Sequence, residues 1–329
     1  LHSADTFAQV NQGSDDVLTV DTSLVQLNIG VVDRQGRPIT SLAENNFAVY
    51  EDDVRQKVLT FEPTHAPFSL VLLLDLSGST LTFRSNLRQA AVRFLDALLP
   101  EDRVSVITFN NKVQSLTGFT SNHKMLAYAI AERTNGGGET QLYKALEFSL
   151  EKLAQEGKRR KAIVVLTDGI DTSLRARDRS AAADTTTEDD ALNAIKPETD
   201  PTLNLVLNAA DRQGVTVYPL ALPSGSLKYI PVTTPQTVAM YKAARERIQL
   251  LARRTGGRLN EIEHLEDLGR LYAEVAADLR TLYSMSYKPA GDKPRDRKWR
   301  AIRIEIANNV DNSDTPQLIA RTRPGYYAR

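Results

Sequence analysis

Ser69-Leu70-Val71-Leu72-Leu73-Leu74-Asp75-Leu76-Ser77-Gly78-Ser79 is the stretch on which the reading of this chain turns. An unbroken aliphatic run without polar alternation is the pattern of a strand covered on both faces. It stops on a carboxylate followed by hydroxyls at i+2 and i+4, which places three hard oxygen groups at the carboxyl edge of the strand. In open α/β sheets that edge is where ligands bind. The oxygen set suits Mg²⁺, Mn²⁺ or Ca²⁺ and offers nothing to a soft metal.

The bulk composition narrows the field around this junction. A chain of 329 residues accommodates one large domain with a smaller one, or two medium domains. Lys and Arg total 41 against 41 Asp and Glu, so net charge directs the protein toward neither nucleic acid nor an anionic membrane. No apolar run approaches the length of a spanning helix. Cys is absent, which removes disulfides, zinc–thiolate sites and thiol chemistry. The chain begins at Leu1 and is polar through Asp16. That pattern leads to the expectation of an exported protein whose signal has been removed, with a periplasmic, cell-surface or secreted location, and a cytoplasmic location as the alternative.

Residues 1–17 read as a loose N-terminus. Residues 22–29, 47–50 and 56–61 read as short strands, the last two around the acidic turn Glu51-Asp52-Asp53, and they have no helix to cover them. From Ser69 strands alternate with amphipathic helices. Helices are expected over 82–99, 122–133, from Thr140 through Leu153, 238–255 and 264–282. Strands are expected over 103–109, 112–119, 161–166, 215–220 and 258–261. Two segments interrupt the rhythm: 175–201, charged and rich in Thr and Ala with one possible helical turn at 190–195, and 223–235, rich in Pro, Ser and Thr. After Leu282 the period returns to two at 283–287, 299–306 and 317–323. The fold class expected is therefore α/β, a doubly wound, mostly parallel sheet over 67–282. Residues 18–66 and 283–329 pair into a small discontinuous β-sandwich.

This layout brings five groups to one edge: Asp75, Ser77 and Ser79 after the first buried strand, Thr140 on the Gly136-Gly137-Gly138 loop at a helix start, and Asp168 in Thr167-Asp168-Gly169. Asp-x-Ser-x-Ser, then Thr on a Gly-rich loop, then Asp in a Thr-Asp-Gly turn, each on the proper element, resembles the von Willebrand factor type A domain with its metal-ion-dependent adhesion site. The flanks, Val32-Asp33-Arg34-Gln35-Gly36-Arg37-Pro38 and Arg323-Pro324-Gly325-Tyr326-Tyr327 among them, resemble those of von Willebrand-related proteins of acidobacteria. The resemblance implies a Rossmann-like fold and a divalent cation, Mg²⁺ foremost with Mn²⁺ and Ca²⁺ as alternatives, held by Asp75, Ser77, Ser79, Thr140 and Asp168. It also implies a protein partner whose Asp or Glu completes the coordination. Glu139, where relatives more often carry Gly, and Asp171 are expected to modulate the site by adding negative charge.

Other chemistries fit less well. Gly136-Gly137-Gly138 lacks the Lys and the strand-then-helix placement of a phosphate loop. Ser77 stands where a phosphotransfer aspartate pair would need its second Asp, and neither serine lies in a Gly-x-Ser-x-Gly elbow. His2, His65, His123 and His264 show no metal-binding spacing. The basic stretches 158–161 and 288–303 lack a stacking platform for nucleic acid. The expectation is a non-enzymatic, metal-dependent adhesion or assembly module. The alternative is a subunit of an ATPase-linked chaperone or chelatase-type machine.

Overall fold

The computed structural model describes residues 24–64, 66–132, 136–157, 159–223, 233–290, 296–306 and 318–328. At its centre lies a six-stranded sheet containing β5 (Phe68–Asp75), β6 (Arg103–Phe109), β7 (Val113–Ser115), β8 (Arg160–Thr167), β9 (Val215–Ala221) and β10 (Asn260–Glu261). The order is β10-β9-β8-β5-β6-β7, parallel except for β7, which folds back on β6 as a hairpin. The chain starts in the middle at β5, lays β6 on one side, then crosses over to place β8 and β9 on the other. The direction of winding therefore reverses between β5 and β8, which is where open sheets leave a crevice at their carboxyl edge.

Alternation along β5 explains why its sequence is continuously apolar. Leu70, Leu72 and Leu74 point into one core with α1 (Arg84–Asp96), α2 (His123–Glu132) and α8 (Leu268–Arg280). Val71 and Leu73 point into the other, with α3 (Leu142–Ala154), α6 (Pro201–Gln213) and α7 (Pro235–Thr255). Successive strand side chains face opposite ways, so covering both faces demands apolar residues at every position.

Two four-stranded antiparallel sheets flank this unit. One has the order β13-β1-β11-β4, from β13 (Ile319–Arg321), β1 (Val25–Val32), β11 (Leu282–Tyr287) and β4 (Val58–Glu62). The other has the order β14-β12-β2-β3, from β14 (Gly325–Tyr327), β12 (Trp299–Ile306), β2 (Phe47–Glu51) and β3 (Val54–Gln56). Their facing side chains, including Leu27, Ile29, Phe47, Val49, Tyr283, Met285 and Ile302, form one further core.

The segment 175–201, expected as an insertion with at most one helical turn, is instead mostly helical. It contains part of α4 (Thr172–Ala181), α5 (Glu188–Ile195) and a 3-10 turn at Pro197–Thr199, and α6 follows directly. The sequence reading lacked α4 because that helix has no apolar stripe, with Leu174 and Asp178 as its buried residues. Asp171 caps it, accepting from the N–H groups of Ser173 and Leu174, and a buried ion pair from Asp178 to Arg247 of α7 holds its far end. For α6 the signals were present: Asp200 at the N-cap, Pro201 in the first turn, Leu203, Val206, Leu207 and Ala210 buried, and Gly214 at the C-cap. Pro201 marked a helix start rather than the end of an irregular stretch. Elsewhere boundaries shift. The first strand lies three residues later than expected, a 3-10 turn at Gly78–Phe83 precedes α1, and Thr234 caps α7 ahead of Pro235. Residues 1–17 and most of 223–235 lie outside the described residues.

The chain crosses between the flanking sheets and the central unit just before β5 and just after α8, and Arg160 sits at both crossings. Its guanidinium donates to the carbonyl of Ala66, and to those of Leu279 at 3.3 Å and Leu282 at 2.6 Å. Replacing Arg160 by Met would strand buried carbonyls at both crossings. Urea unfolding should show a loss of about 3 kcal/mol; a loss within about 0.5 kcal/mol would remove Arg160 from this role.

Candidate functional site

Asp75 is fully buried at the end of β5. Its neighbour in β8 supplies Thr167, whose hydroxyl donates to Asp75 Oδ2 at 2.8 Å, while the Ser77 N–H donates to Oδ1 at 2.9 Å. The next residue of the β8 turn is Asp168, 3% exposed. Burial, first, and the nearby Asp168 charge, second, push the Asp75 carboxyl up to about 7 from 3.8, against the opposing hydrogen bonds from Ser77 and Thr167.

The 75–79 loop is fixed from several sides. Thr80, buried, turns its hydroxyl toward the carbonyls of Asp75 and Ser77, each at 3.0 Å. Arg84 at the start of α1 donates to the carbonyls of Leu76 at 2.8 Å and Ser77 at 3.3 Å. The hydroxyls of Ser77 and Ser79 lie 3.1 Å apart, with Ser77 buried and Ser79 exposed, so the pair runs from the interior to the surface.

The glycine loop packs directly against this one. The Gly78 N–H donates to the Gly138 carbonyl at 3.1 Å, and a Cβ at Gly136 would come within 2.7 Å of the Leu76 carbonyl oxygen. Gly136 is therefore required by the backbone that lies against it, and Gly138 by its left-handed φ of 88°. Thr140, 7% exposed, follows two residues later. Gln141 donates to the Asn110 carbonyl at 3.1 Å and so anchors the loop to the end of β6. In the β8 turn, the Ile170 N–H closes on Asp168 Oδ1 at 3.0 Å, and Gly169 adopts a left-handed φ of 86° with Ile248 close behind it.

The structure thus brings Asp75, Ser77, Ser79, Thr140 and Asp168 to neighbouring loops at the crevice between β5 and β8. Of the two expected modulators, Glu139 is exposed beside Thr140. The Asp171 carboxylate is engaged otherwise: Oδ1 accepts from Ser173 N, Ser173 Oγ and Leu174 N, and Oδ2 accepts from Tyr143 N at 3.3 Å. The sequence reading assigned no role to Thr80, Arg84, Thr167 or Thr172. Only for Thr167 was there a local signal, since it directly precedes Asp168.

The donor set fits a hard divalent cation. It offers two carboxylates and three hydroxyls, all oxygen, with a buried carboxylate beside a like charge that a cation would offset. Among the described residues no group of three or more His, Cys, Asp or Glu could hold a metal, so hydroxyls are indispensable to any such site. Asp75 also sets a pH dependence. The native state keeps its proton between about 3.8 and about 7 while the unfolded chain has released it, so this group's stabilising contribution is complete below 3.8 and is lost as pH rises toward 7. In chelator, melting temperature plotted against pH should fall across this window, and Asp75→Asn should flatten the fall. An Asp75→Asn profile parallel to wild type would contradict the assignment.

Residues 70–170 match the family model described as von Willebrand factor type A domain. Among curated proteins, the human voltage-dependent calcium channel subunit alpha-2/delta-2 is 30% identical over 130 residues, covering 36% of this chain and 11% of that subunit. The chain thus spans about a tenth of the length of the curated relatives it matches. Solved structures with similarity include a von Willebrand factor type A protein from Catenulispora acidiphila, 12% identical with TM-score 0.46, covering 94% of this chain and 64% of that one. The pilus adhesin SpaC from Lactobacillus rhamnosus GG, in its open conformation, is 12% identical with TM-score 0.48, covering 87% and 48%. The matched stretch starts within β5, ends just past Asp168 and encloses all five residues at the crevice: the chain carries a von Willebrand factor type A domain.

Proposed function

We propose that this protein binds a divalent cation through Asp75, Ser77, Ser79, Thr140 and Asp168, and uses it to hold an acidic side chain of a protein partner. The observation that carries the reading is the buried Asp75 carboxylate beside Asp168 at the switch of the sheet, held by the Ser77 N–H and the Thr167 hydroxyl. Burying two like charges side by side is costly, and a cation between them removes the cost. When bound, the cation would supply an electrophilic position for a carboxylate. The protein's part is to hold the oxygens in place and to present the exposed Ser79 edge to the partner. We assign Mg²⁺ as the resident ion, with Mn²⁺ and Ca²⁺ able to substitute. Glu139 adds negative charge at the rim, which favours the cation and slows an acidic partner.

Docking is a better use of this donor set than catalysis. The Ser77 hydroxyl meets that of Ser79 rather than an imidazole or amine, and von Willebrand factor type A domains commonly mediate metal-dependent protein interactions. The matched calcium channel relative is, by its name, a subunit of an assembly. The two antiparallel sheets built from both chain ends favour an adhesion or assembly module over a bare ATPase-linked subunit. No helix among the described residues is long and apolar enough to cross a membrane.

Calorimetric titration of the wild type with Mg²⁺ and Mn²⁺ should give one site, and Asp75→Ala should weaken it by at least about a hundredfold. Identical titrations would end the metal assignment. Saturating Mg²⁺ should also abolish the pH-dependent loss of stability seen in chelator. Proteins retained on immobilised wild type should elute with chelator and should be missing from an Asp75→Ala column. A partner set indifferent to chelator would refute metal-mediated docking.

A further inference from the structure

Thr140 is held by a pair of hydrogen bonds that both end on Thr172. The Thr140 N–H donates to Thr172 Oγ1 at 2.9 Å, and the Thr172 N–H donates to the Thr140 carbonyl at 3.0 Å. Thr172 is the first residue of α4, four positions beyond Asp168, so the clamp joins the loop carrying Thr140 to the segment carrying Asp168. Asp171 reinforces it: one oxygen caps α4 and the other accepts from Tyr143 N in the first turn of α3. The far end of α4 is pinned in turn, because Asp178 receives both terminal nitrogens of the buried Arg247, each at 2.7 Å. Thr172 therefore cannot drift without breaking contacts at both ends of its helix.

We infer that Thr172, backed by Asp171, is a positioning residue that sets the Thr140 hydroxyl relative to Asp168. This deepens the proposed metal site and rests on that reading. The Thr172 hydroxyl oxygen acts as an acceptor for a backbone N–H, so its contribution is to place another ligand. Residues that orient a metal ligand without touching the ion affect affinity strongly, since a hard cation tolerates little displacement of its oxygens.

The test compares Thr172→Val, which keeps the shape and removes the acceptor, with Thr172→Ser, which keeps the acceptor. Thr172→Val should weaken Mn²⁺ binding by roughly tenfold or more, and Thr172→Ser should stay within about twofold of wild type. In chelator, amide exchange at Thr140 should quicken on the order of tenfold in Thr172→Val, the equivalent of one hydrogen bond, and return in Thr172→Ser. Wild-type Mn²⁺ affinity in Thr172→Val, or equal weakness in Thr172→Ser, overturns the inference. If Thr172→Val does not fold, Thr172→Ala is judged by the same outcomes. A wild type that fails to titrate with Mn²⁺ overturns the metal reading instead, and the exchange measurement then decides whether the clamp holds Thr140.

Discussion

A carboxylate buried at the end of the central strand is the constraint on which the rest of this structure depends. Asp75 is wholly removed from solvent and lies beside a second acid. Such a group is tolerable only where donors are fixed around it. Thr167 is available because β8 runs parallel to β5 with Leu74 opposite Leu166, so both strands finish together. The Ser77 N–H is available because the chain turns tightly after the strand. The reversal of winding between β5 and β8 then keeps crossover connections away from this end and leaves the crevice to short loops.

Those loops are linked to one another before any ion arrives. Gly78 bonds to Gly138, Gly136 lies against Leu76, Gln141 bonds to Asn110 and Thr140 to Thr172. Four connections that are remote in sequence thus behave as one framework, which is how a site of neutral hydroxyls can hold a defined geometry. The flanking sheets meet the central unit at the opposite edge. Asn28 of β1 bonds to Gly214 and Thr216 at the start of β9, and Arg323 bonds to Asp211 near the end of α6. With Arg160 at the start of β8, these contacts lie at the amino edge of the sheet, so the second set of sheets buttresses the domain without covering the crevice.

Much of this was legible from local pattern. The continuous run 69–74 announced a doubly covered strand, the alternation after Leu282 announced further strands, and Asp-x-Ser-x-Ser followed by Thr140 and Asp168 announced a cluster of oxygen side chains. Two of the failures have a common physical origin. Helix α4 is stabilised by a cap on Asp171 and an ion pair from Asp178 to a residue 69 positions away, and neither leaves an apolar periodicity to read. Asp171 looked like added charge near Asp168, yet its oxygens are taken by backbone N–H groups of two different helices. The run Gly136-Gly137-Gly138 carried no local sign that a Cβ at Gly136 would meet the backbone of Leu76.

By itself the sequence determined the buried strands of the central sheet, the amphipathic helices beside them, the oxygen character of the site and the exclusion of thiol chemistry, because those follow from side-chain type and from periods of 2 and 3.6 residues. Tertiary structure alone decided that Asp75 is fully buried beside Asp168, that Thr167 donates to it, that Thr172 holds Thr140, and that Arg160 and Arg323 seal the junctions with the flanking sheets. Each of these depends on hydrogen bonds and desolvation between segments that meet only after the sheet has formed. No local sequence pattern encodes the direction of such a bond or the loss of water around a charge.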